Sequence, residues 1–405
     1  MPTYTYKARD EAGKAVKGTL EGPSQEEVAA KLHQMGYLVT RVEEGLSSSL
    51  HLESLGQRLQ KVKTEELVIF SIQLANMVSS GLLLLLSLKI LEGQMESKKL
   101  KRVIGEITRN VEAGNSFSEA LAMHPRIFSR LFINMVKAGE ATGHLDTILD
   151  RLAAYLDHQE DLRQKIKGAL FYPSILLIAG ISVILFVVSF VIPQFVEIFS
   201  KANVPLPLPT RLLYAVGMGI KRYWYLLFLL LSASIVAMKG IRRTDKGQVG
   251  IDRILLNIAV IGPLIRKICI SRFARTLATL VASGVPILPS LEIVEEVVGN
   301  RVVGLAIHQA RGAVEGGAKL AEPLKVSGEF PLDTVQMISV GEETGDLDGM
   351  LSKISDFYDR AVGYSIAKLT TLIEPVCLVV MGGMVALIMT SLLLPIFDMA
   401  KTIKH

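Results

Sequence analysis

Two eight-residue stretches, GEATGHLD at Gly139–Asp146 and GEETGDLD at Gly341–Asp348, agree at six positions. Each sets a carboxylate, Glu140 or Glu342, beside a glycine, and ends on a second carboxylate, Asp146 or Asp348. Helix capping accounts for most letters. A helix ending in INMVKAG would stop at Gly139, because glycine tolerates the left-handed conformation, with Gly341 as its twin. Thr142 or Gly143 (Thr344 or Gly345 in the second copy) would open the next helix. Asp146 and Asp348 would sit in its first turn, where a carboxylate suits the positive helix end, and Leu145 and Leu347 would point into a core. The glutamates are left over. A carboxylate just past a helix C-terminus meets the negative end of the dipole. Something must favour that charge: an internal hydrogen-bond network, a basic protein partner or a divalent cation.

Other chemistries lack their residues. Gly13-Lys14 is without the earlier glycine and the following Ser or Thr of a phosphate-binding loop. The seven histidines are scattered, with no zinc spacing. No Gly-x-Ser-x-Gly elbow occurs. The apolar runs hold no ionisable residue at their centres, unlike most transporters and proton relays. The expectation is a protein that is not an enzyme, with no catalytic or metal-ligating residues and no cofactor.

The positioning elements follow from hydropathy and repeats. The chain has 405 residues, half of them apolar and a fifth charged, with net charge +5. The excess apolarity sits in three runs: 168–196, 223–238 and 375–397. A membrane-spanning helix needs roughly 20 such residues. The shorter second run has an apolar upstream neighbour, snorkelling Lys221 and Arg222, and an aromatic cluster at Tyr223, Trp224 and Tyr225. The charge suits basic membrane flanks and not a nucleic-acid binder. Cys269 and Cys377 imply no disulfide framework.

Setting Phe70 over Phe273 aligns Leu74 with Leu277, Gly81 with Gly284, Leu88 with Leu291, Glu92 with Glu295 and Gly114 with Gly317. One residue drops out between Leu121 and Phe128, after which Phe128 meets Phe330, Met135 meets Met337, and the twin motifs coincide. The register continues through Pro173 with Pro375 and Pro193 with Pro395. An internal repeat of this kind defines the architecture. The fold class is mainly α: a polytopic membrane protein with two homologous cytoplasmic helical bundles, three transmembrane helices and a small α+β N-terminal module. The expected divisions are 1–45 (hairpin, helix capped by Ser24 and closed by Gly36, third strand), 46–63 linker, 64–168 first bundle with Thr64 as N-cap, 169–193 first span, 194–222 exported loop stiffened by prolines, 223–239 second span, 240–371 second bundle and 372–397 third span. Glu374 with Pro375 reads as a cap and first position of the third span's helix, or as a contact residue. Gly180, Gly382 and Gly383 would permit close helix packing or be merely tolerated in the bilayer. Lys165, Lys167, Lys239, Arg242, Arg243 and Lys246 favour both bundles inside by the positive-inside rule, against Lys221, Arg222, Lys401 and Lys404 opposite.

Two helical repeats with a Gly-Glu-x-Thr-Gly-x-Leu turn, each running into a span with a proline near its start and IPQF or LPIF at its end, together with the opening YTYKARDEAGKAVKGTLEG, resemble the type II secretion system protein F family. The resemblance covers Tyr4 to Phe397. It implies an inner-membrane platform, usually oligomeric, whose two homologous cytoplasmic six-helix bundle repeats are placed beside a hexameric cytoplasmic secretion or pilus ATPase. Such a platform helps lift pilin or pseudopilin subunits out of the bilayer, alongside other inner-membrane assembly proteins and lipid, and without nucleic acid. Gly139, Glu140, Thr142, Gly143, Leu145 and Gly341, Glu342, Thr344, Gly345, Leu347 match the family motif, and Pro173 and Pro375 match its span prolines. Some relatives hold a divalent cation at a domain interface; no ligand set here identifies one. The first copy departs by having His144 where the second has Asp346. The ending SLLLPIFDMAKTIKH is slightly closer to the secretion branch and GEETGDLDGMLSKISDFYD to the pilus branch. The alternative is a channel or transporter, or a membrane scaffold unrelated to filaments.

Overall fold

The computed structural model describes residues 3–9, 15–44, 62–201, 208–242, 244–259 and 261–402. Strands β1 (Thr3–Arg9), β2 (Ala15–Glu21) and β3 (Leu38–Glu44) form an antiparallel sheet in the order β2-β1-β3. Helix α1 (Gln25–Gln34) packs Val28 and Leu32 against Tyr4 and Val42. Ser24 Oγ accepts from Glu27 N at 3.3 Å, and Gly36 follows the helix with φ +81°. The DEAG turn and residues 46–61 of the expected linker lie outside the described residues.

Six helices make the first bundle: α2 (Thr64–Ser79), α3 (Leu84–Gln94), α4 (Lys98–Glu112), α5 (Phe117–Ala122), α6 (Arg130–Thr142) and α7 (Leu145–Phe186). Helix α4 shows why the pattern folds this way. Leu100, Val103, Ile104 and Ile107 recur at helical spacing, and all four are buried while Lys101, Arg102 and Arg109 stay exposed. After α7 come α8 (Ile192–Lys201), α9 (Leu208–Ile241) and α10 (Asp245–Asn257). The second bundle repeats the first as α11 (Ile261–Ala282), α12 (Ile287–Val297), α13 (Arg301–Glu315), α14 (Ala321–Ser327), α15 (Leu332–Thr344) and α16 (Leu347–Thr402). Aligned residues play the same parts. Phe70 meets Phe128 edge-on at 6.2 Å and Phe273 meets Phe330 edge-on at 4.9 Å. One continuous hydrophobic core runs through both bundles.

Several expected boundaries change. Helix α7 runs through 168/169 and α16 through 371/372 without a break, so each bundle's last helix is also a span. The stretches Leu145–Ile198 and Leu347–Ser391 are long and apolar enough to cross a membrane. A third candidate is α9, as two arms bent by 48° at a kink where Tyr223 leaves helical geometry. The expected 194–222 loop is largely helix, formed by α8 and the first half of α9; only 202–207 lie outside the described residues. Thr64 is the first helical residue and not the N-cap; that position is Lys63, whose N–H donates to Glu66 at 3.3 Å. Glu374 and Pro375 lie inside α16 and Pro173 inside α7, so none of them starts a helix. The α-helix continues through a proline when tertiary packing outweighs the lost bond. Pro173 is buried.

The second pair of prolines is handled differently in each repeat. Pro193 cannot donate to Ser189 and would crowd its carbonyl. There the helix widens into a π turn over Val187–Val191, with Ile192 N reaching back to Val187 O. Pro395 likewise leaves the Ser391 carbonyl without a donor, and Thr210 of α9 supplies one: its Oγ1 donates to Ser391 O at 2.7 Å, both residues fully buried. Gly217, also on α9, brings its backbone against the π turn; a Cβ there would stand 2.6 Å from Val188 O. Helix α9 therefore braces both proline sites. Thr210→Val should lower resistance to denaturant in mixed micelles by about 1 kcal/mol, and Thr210→Ser should restore it; equal resistance of all three proteins would refute the bracing role.

Candidate functional site

The twin turns are helix junctions of matched geometry. The α6 helix does not stop at Gly139; it continues to Thr142 and ends at Gly143 with φ +76°. Its counterpart α15 ends at Gly345, also with φ +76°. These are the left-handed positions, where glycine avoids the strain of a side chain. Gly139 and Gly341 serve close approach instead. A Cβ on Gly139 would stand 3.0 Å from Ile148, and on Gly341 3.0 Å from the Leu347 backbone. Thr142 and Thr344 do not open the next helices. Their hydroxyls donate back to Ala138 O at 2.9 Å and Val340 O at 2.8 Å. Leu145 and Leu347 begin α7 and α16 and pack on the core, with Asp146 and Asp348 in the first turns. Asp346 caps α16 by accepting from Gly349 N at 3.2 Å, whereas His144 makes no side-chain cap bond. The His/Asp difference is thus a difference in capping.

This corrected end point places the glutamates in the last helical turn, one residue after the close-packed glycine. From there Glu140 reaches the start of α5. Phe117 N donates to Oε1 at 2.6 Å, Ser118 N to Oε2 at 3.2 Å, and Ser118 Oγ to Oε2 at 2.5 Å. Glu342 does the same for α14, accepting from Leu320 N at 2.5 Å and Ala321 N at 3.0 Å. A carboxylate that is misplaced for its own helix's dipole is well placed for the positive end of a neighbour. Among the three explanations open to the sequence, the geometry supplies the internal network. Each copy works within its own bundle. Among the described residues no cluster of three His, Cys, Asp or Glu side chains could hold a metal ion.

A second polar constellation joins the two repeats. His158 of α7 brings Nε2 to 2.9 Å from Asp359 Oδ2 of α16, in ion-pair range though not aligned as a hydrogen bond. Ser271 Oγ of α11 donates to Asp359 Oδ1. Arg275 donates to Asp359 Oδ2 at 2.5 Å and Asp356 Oδ1 at 2.7 Å. Beside them Tyr155 Oη of α7 hydrogen-bonds Thr276 Oγ1 of α11 at 3.0 Å and takes a bond from Gln159. Burial by itself would raise the Asp359 pKa; the nearby His158 ring and the Ser271 and Arg275 donors outweigh it and hold it at about 2. Arg130 adds an exposed link across the seam, to Glu292 at 2.9 Å and Glu296 at 2.7 Å. None of these residues stands out by motif. What could have found them is repeat divergence: Arg275 aligns with Ile72 and Ser271 with Val68, polar residues facing apolar ones in an otherwise matched helix. In the spans, Gly180 packs on Met381, with a would-be Cβ 3.2 Å from Sδ, while Gly382 and Gly383 meet nothing within 4 Å. Cys269 and Cys377 are both buried, free thiols.

Comparison with known proteins agrees with this architecture. The family model for type II secretion system (T2SS) protein F matches residues 70–193 and again 273–395, and the model for the N-terminal domain of the same protein matches 1–43. The chain is 39% identical to a type IV pilus assembly protein PilC of Thermus thermophilus, over all of this chain and 99% of the relative. It is 36% identical to a PilC of Myxococcus xanthus, over 99% and 96%. It is 35% identical to a type II secretion system protein F of Xanthomonas campestris, over the whole of both chains. The doubled bundle-and-span repeat and its twin junctions are therefore those of the type II secretion system protein F family, to which this chain belongs.

Proposed function

We propose that this protein is the inner-membrane platform of a type II secretion or type IV pilus machine, coupling a cytoplasmic hexameric ATPase to the assembly of pilin or pseudopilin subunits. The observation that carries the reading is the union of bundle and span in one helix. Helices α7 and α16 pass from a packed polar-surfaced bundle into an apolar span without a joint. A force applied to either bundle is delivered to the membrane segment through one continuous helix, in which Pro173 or Pro375 removes a single backbone bond. The seam of His158, Asp359, Arg275 and Tyr155 locks the two rods together where they leave the bundles. Lys165, Lys167, Lys239 and Arg242 at the bundle ends of the spans favour a cytoplasmic position for both bundles. The span surfaces are apolar and largely open in the single chain, leaving area for a second copy or for single-span subunits.

Affinity purification of the tagged protein from its native membrane should bring down a cytoplasmic ATPase and a pilin-like subunit. Deletion of its gene should abolish filament extension or exoprotein release. External labelling of cysteines placed in both bundles, or normal piliation and secretion in the deletion strain, would overturn the proposal.

A further inference from the structure

The seam between the two bundles has a direction. Arg130 of α6 meets Glu292 and Glu296 of α12, and Tyr155 and His158 of α7 meet Thr276 of α11 and Asp359 of α16. A two-fold seam would make each contact twice, with the repeats exchanged. This one makes them once. Tyr155 aligns with Phe357, His158 with Arg360 and Arg130 with Leu332. Phe357 and Leu332 are each 58% exposed. Arg360 is exposed as well, and so is Asp157, the counterpart of Asp359; among the described residues no ion pair joins them. Each bundle therefore has one face spent on the seam and an equivalent face left over. The first bundle keeps its α2–α7 face and the second its α15–α16 face. Thr334 Oγ1 donates to Tyr358 Oη at 3.1 Å, which sets the start of α15, with Leu332, beside the turn of α16 that carries Phe357 and Arg360.

The two leftover faces match each other position by position. Arg360 and Asp157 keep the cation–carboxylate polarity of His158 and Asp359. Arg272 and Arg275 border the same cleft as His158. Where Phe357 replaces the tyrosine, Ile69 and Ile72 replace these two arginines, and Ile69 is 52% exposed. Where Leu332 replaces Arg130, neither carboxylate is kept: Glu292 aligns with Lys89 and Glu296 with Gly93. The internal seam is polar on both sides and the leftover pair is apolar on both sides, around one retained charge pair. Faces that met only water would have no reason to change together, whereas faces that meet each other must stay complementary.

We propose that the α15–α16 face of the second bundle, centred on Phe357 and Arg360, docks on the α2–α7 face of the first bundle in a second copy of this chain. The contact repeats between copies the one that joins the repeats within a copy. Arg360 pairs with Asp157, and Phe357 packs on Ile69 and Ile72 as an aromatic anchor of the kind found at interface centres. A head-to-tail contact of this kind links copies in one direction and makes a ring where the rotation closes. It rests on the internal repeat and not on the platform reading.

Crosslinking of the full chain in its native membrane tests the contact. One copy carries D157C and one tag, a co-expressed copy carries R360C and another tag, and a short bismaleimide joins thiols held at ion-pair range. A product bearing both tags is expected, above the background from Cys269 and Cys377, which are buried. Pairing D157C with D157C, or R360C with R360C, should give none. Adding F357D should cut the mixed product at least roughly tenfold, because it places an unpaired charge at the anchor. D157R or R360D alone should lower the share of oligomers seen by native mass spectrometry, and a mixture of the two chains should recover it. All these positions are exposed, and unchanged melting temperatures report that each variant folds. Like-with-like products as strong as the mixed one would show a two-fold contact and overturn the proposal. So would a mixed product that F357D leaves unchanged, or F357D that abolishes filament output with crosslinking intact, which would assign the face to another protein.

Discussion

Replacing Glu140 or Glu342 with alanine will lower folding stability by roughly 2–3 kcal/mol each, because charge-assisted bonds to half-buried N–H groups are lost and those donors find no water. In the structure the Glu140 carboxylate satisfies Phe117 N, Ser118 N and Ser118 Oγ, and Glu342 satisfies Leu320 N and Ala321 N. Glutamine keeps one acceptor and should cost about half as much. The two effects should add, since the glutamates share no partner. Asp146→Asn and Asp348→Asn, which touch only the dipole of their own helices, should cost about 0.3–1 kcal/mol. Thermal melting of the detergent-solubilised protein measures all of these. Unchanged melting together with lost filament output would move the glutamates to a partner interface and refute the junction role.

The second large effect is expected at Asp359. Asp359→Ala leaves the Ser271 hydroxyl without its acceptor and the Arg275 guanidinium with Asp356 as its remaining carboxylate in a part-buried seam, and should cost roughly 3 kcal/mol, as breaking a buried pair does. Its side chain is 13% exposed, so solvent screens it little. The pH dependence has a definite sign. The folded pKa, about 2, lies below the ordinary 3.8. A depressed carboxyl stabilises the fold fully above its unfolded pKa and loses that contribution as pH falls through the folded value. The stability gap between wild type and Asp359→Asn should therefore shrink as pH falls between about 4 and 2. A gap that stays constant into that acidic window would show that Asp359 titrates normally and that the seam is not built as described. His158→Ala should widen the motion between bundles with a smaller loss, because one partner of three is removed; crosslinking yield between cysteines on α7 and α16 would record it.

The legible parts of this protein were those set by local pattern and by repetition. Gly81, Gly114, Gly143 and their aligned partners Gly284, Gly317 and Gly345 all have positive φ, and the aligned phenylalanines form the same edge-on pairs. Periodicity and the alignment carried both facts. The misread positions share a cause. Gly139 reads as a helix end because a glycine after an apolar run usually is one. Whether glycine serves conformation or close approach depends on what faces it, here Ile148 and the backbone of α7. Moving that end by one turn is what turned Glu140 from an exposed misfit into a cap for α5. In the same way, Glu374-Pro375 has the form of a helix start, and only the packing around α16 carries the helix through it.

By itself the sequence determined the doubled bundle-and-span plan, the family and the two junctions, because those rest on hydropathy, glycine conformation and residue-by-residue repetition. The tertiary structure alone decided where the leftover polar groups go. Glu140 and Glu342 find helix starts more than twenty residues earlier, Thr210 finds the carbonyl that Pro395 leaves open, and His158 meets Asp359 across the seam. A lone carboxylate or hydroxyl states only that it needs a partner when buried. Which partner it meets is set by the packing of distant helices, and no local pattern encodes that distance.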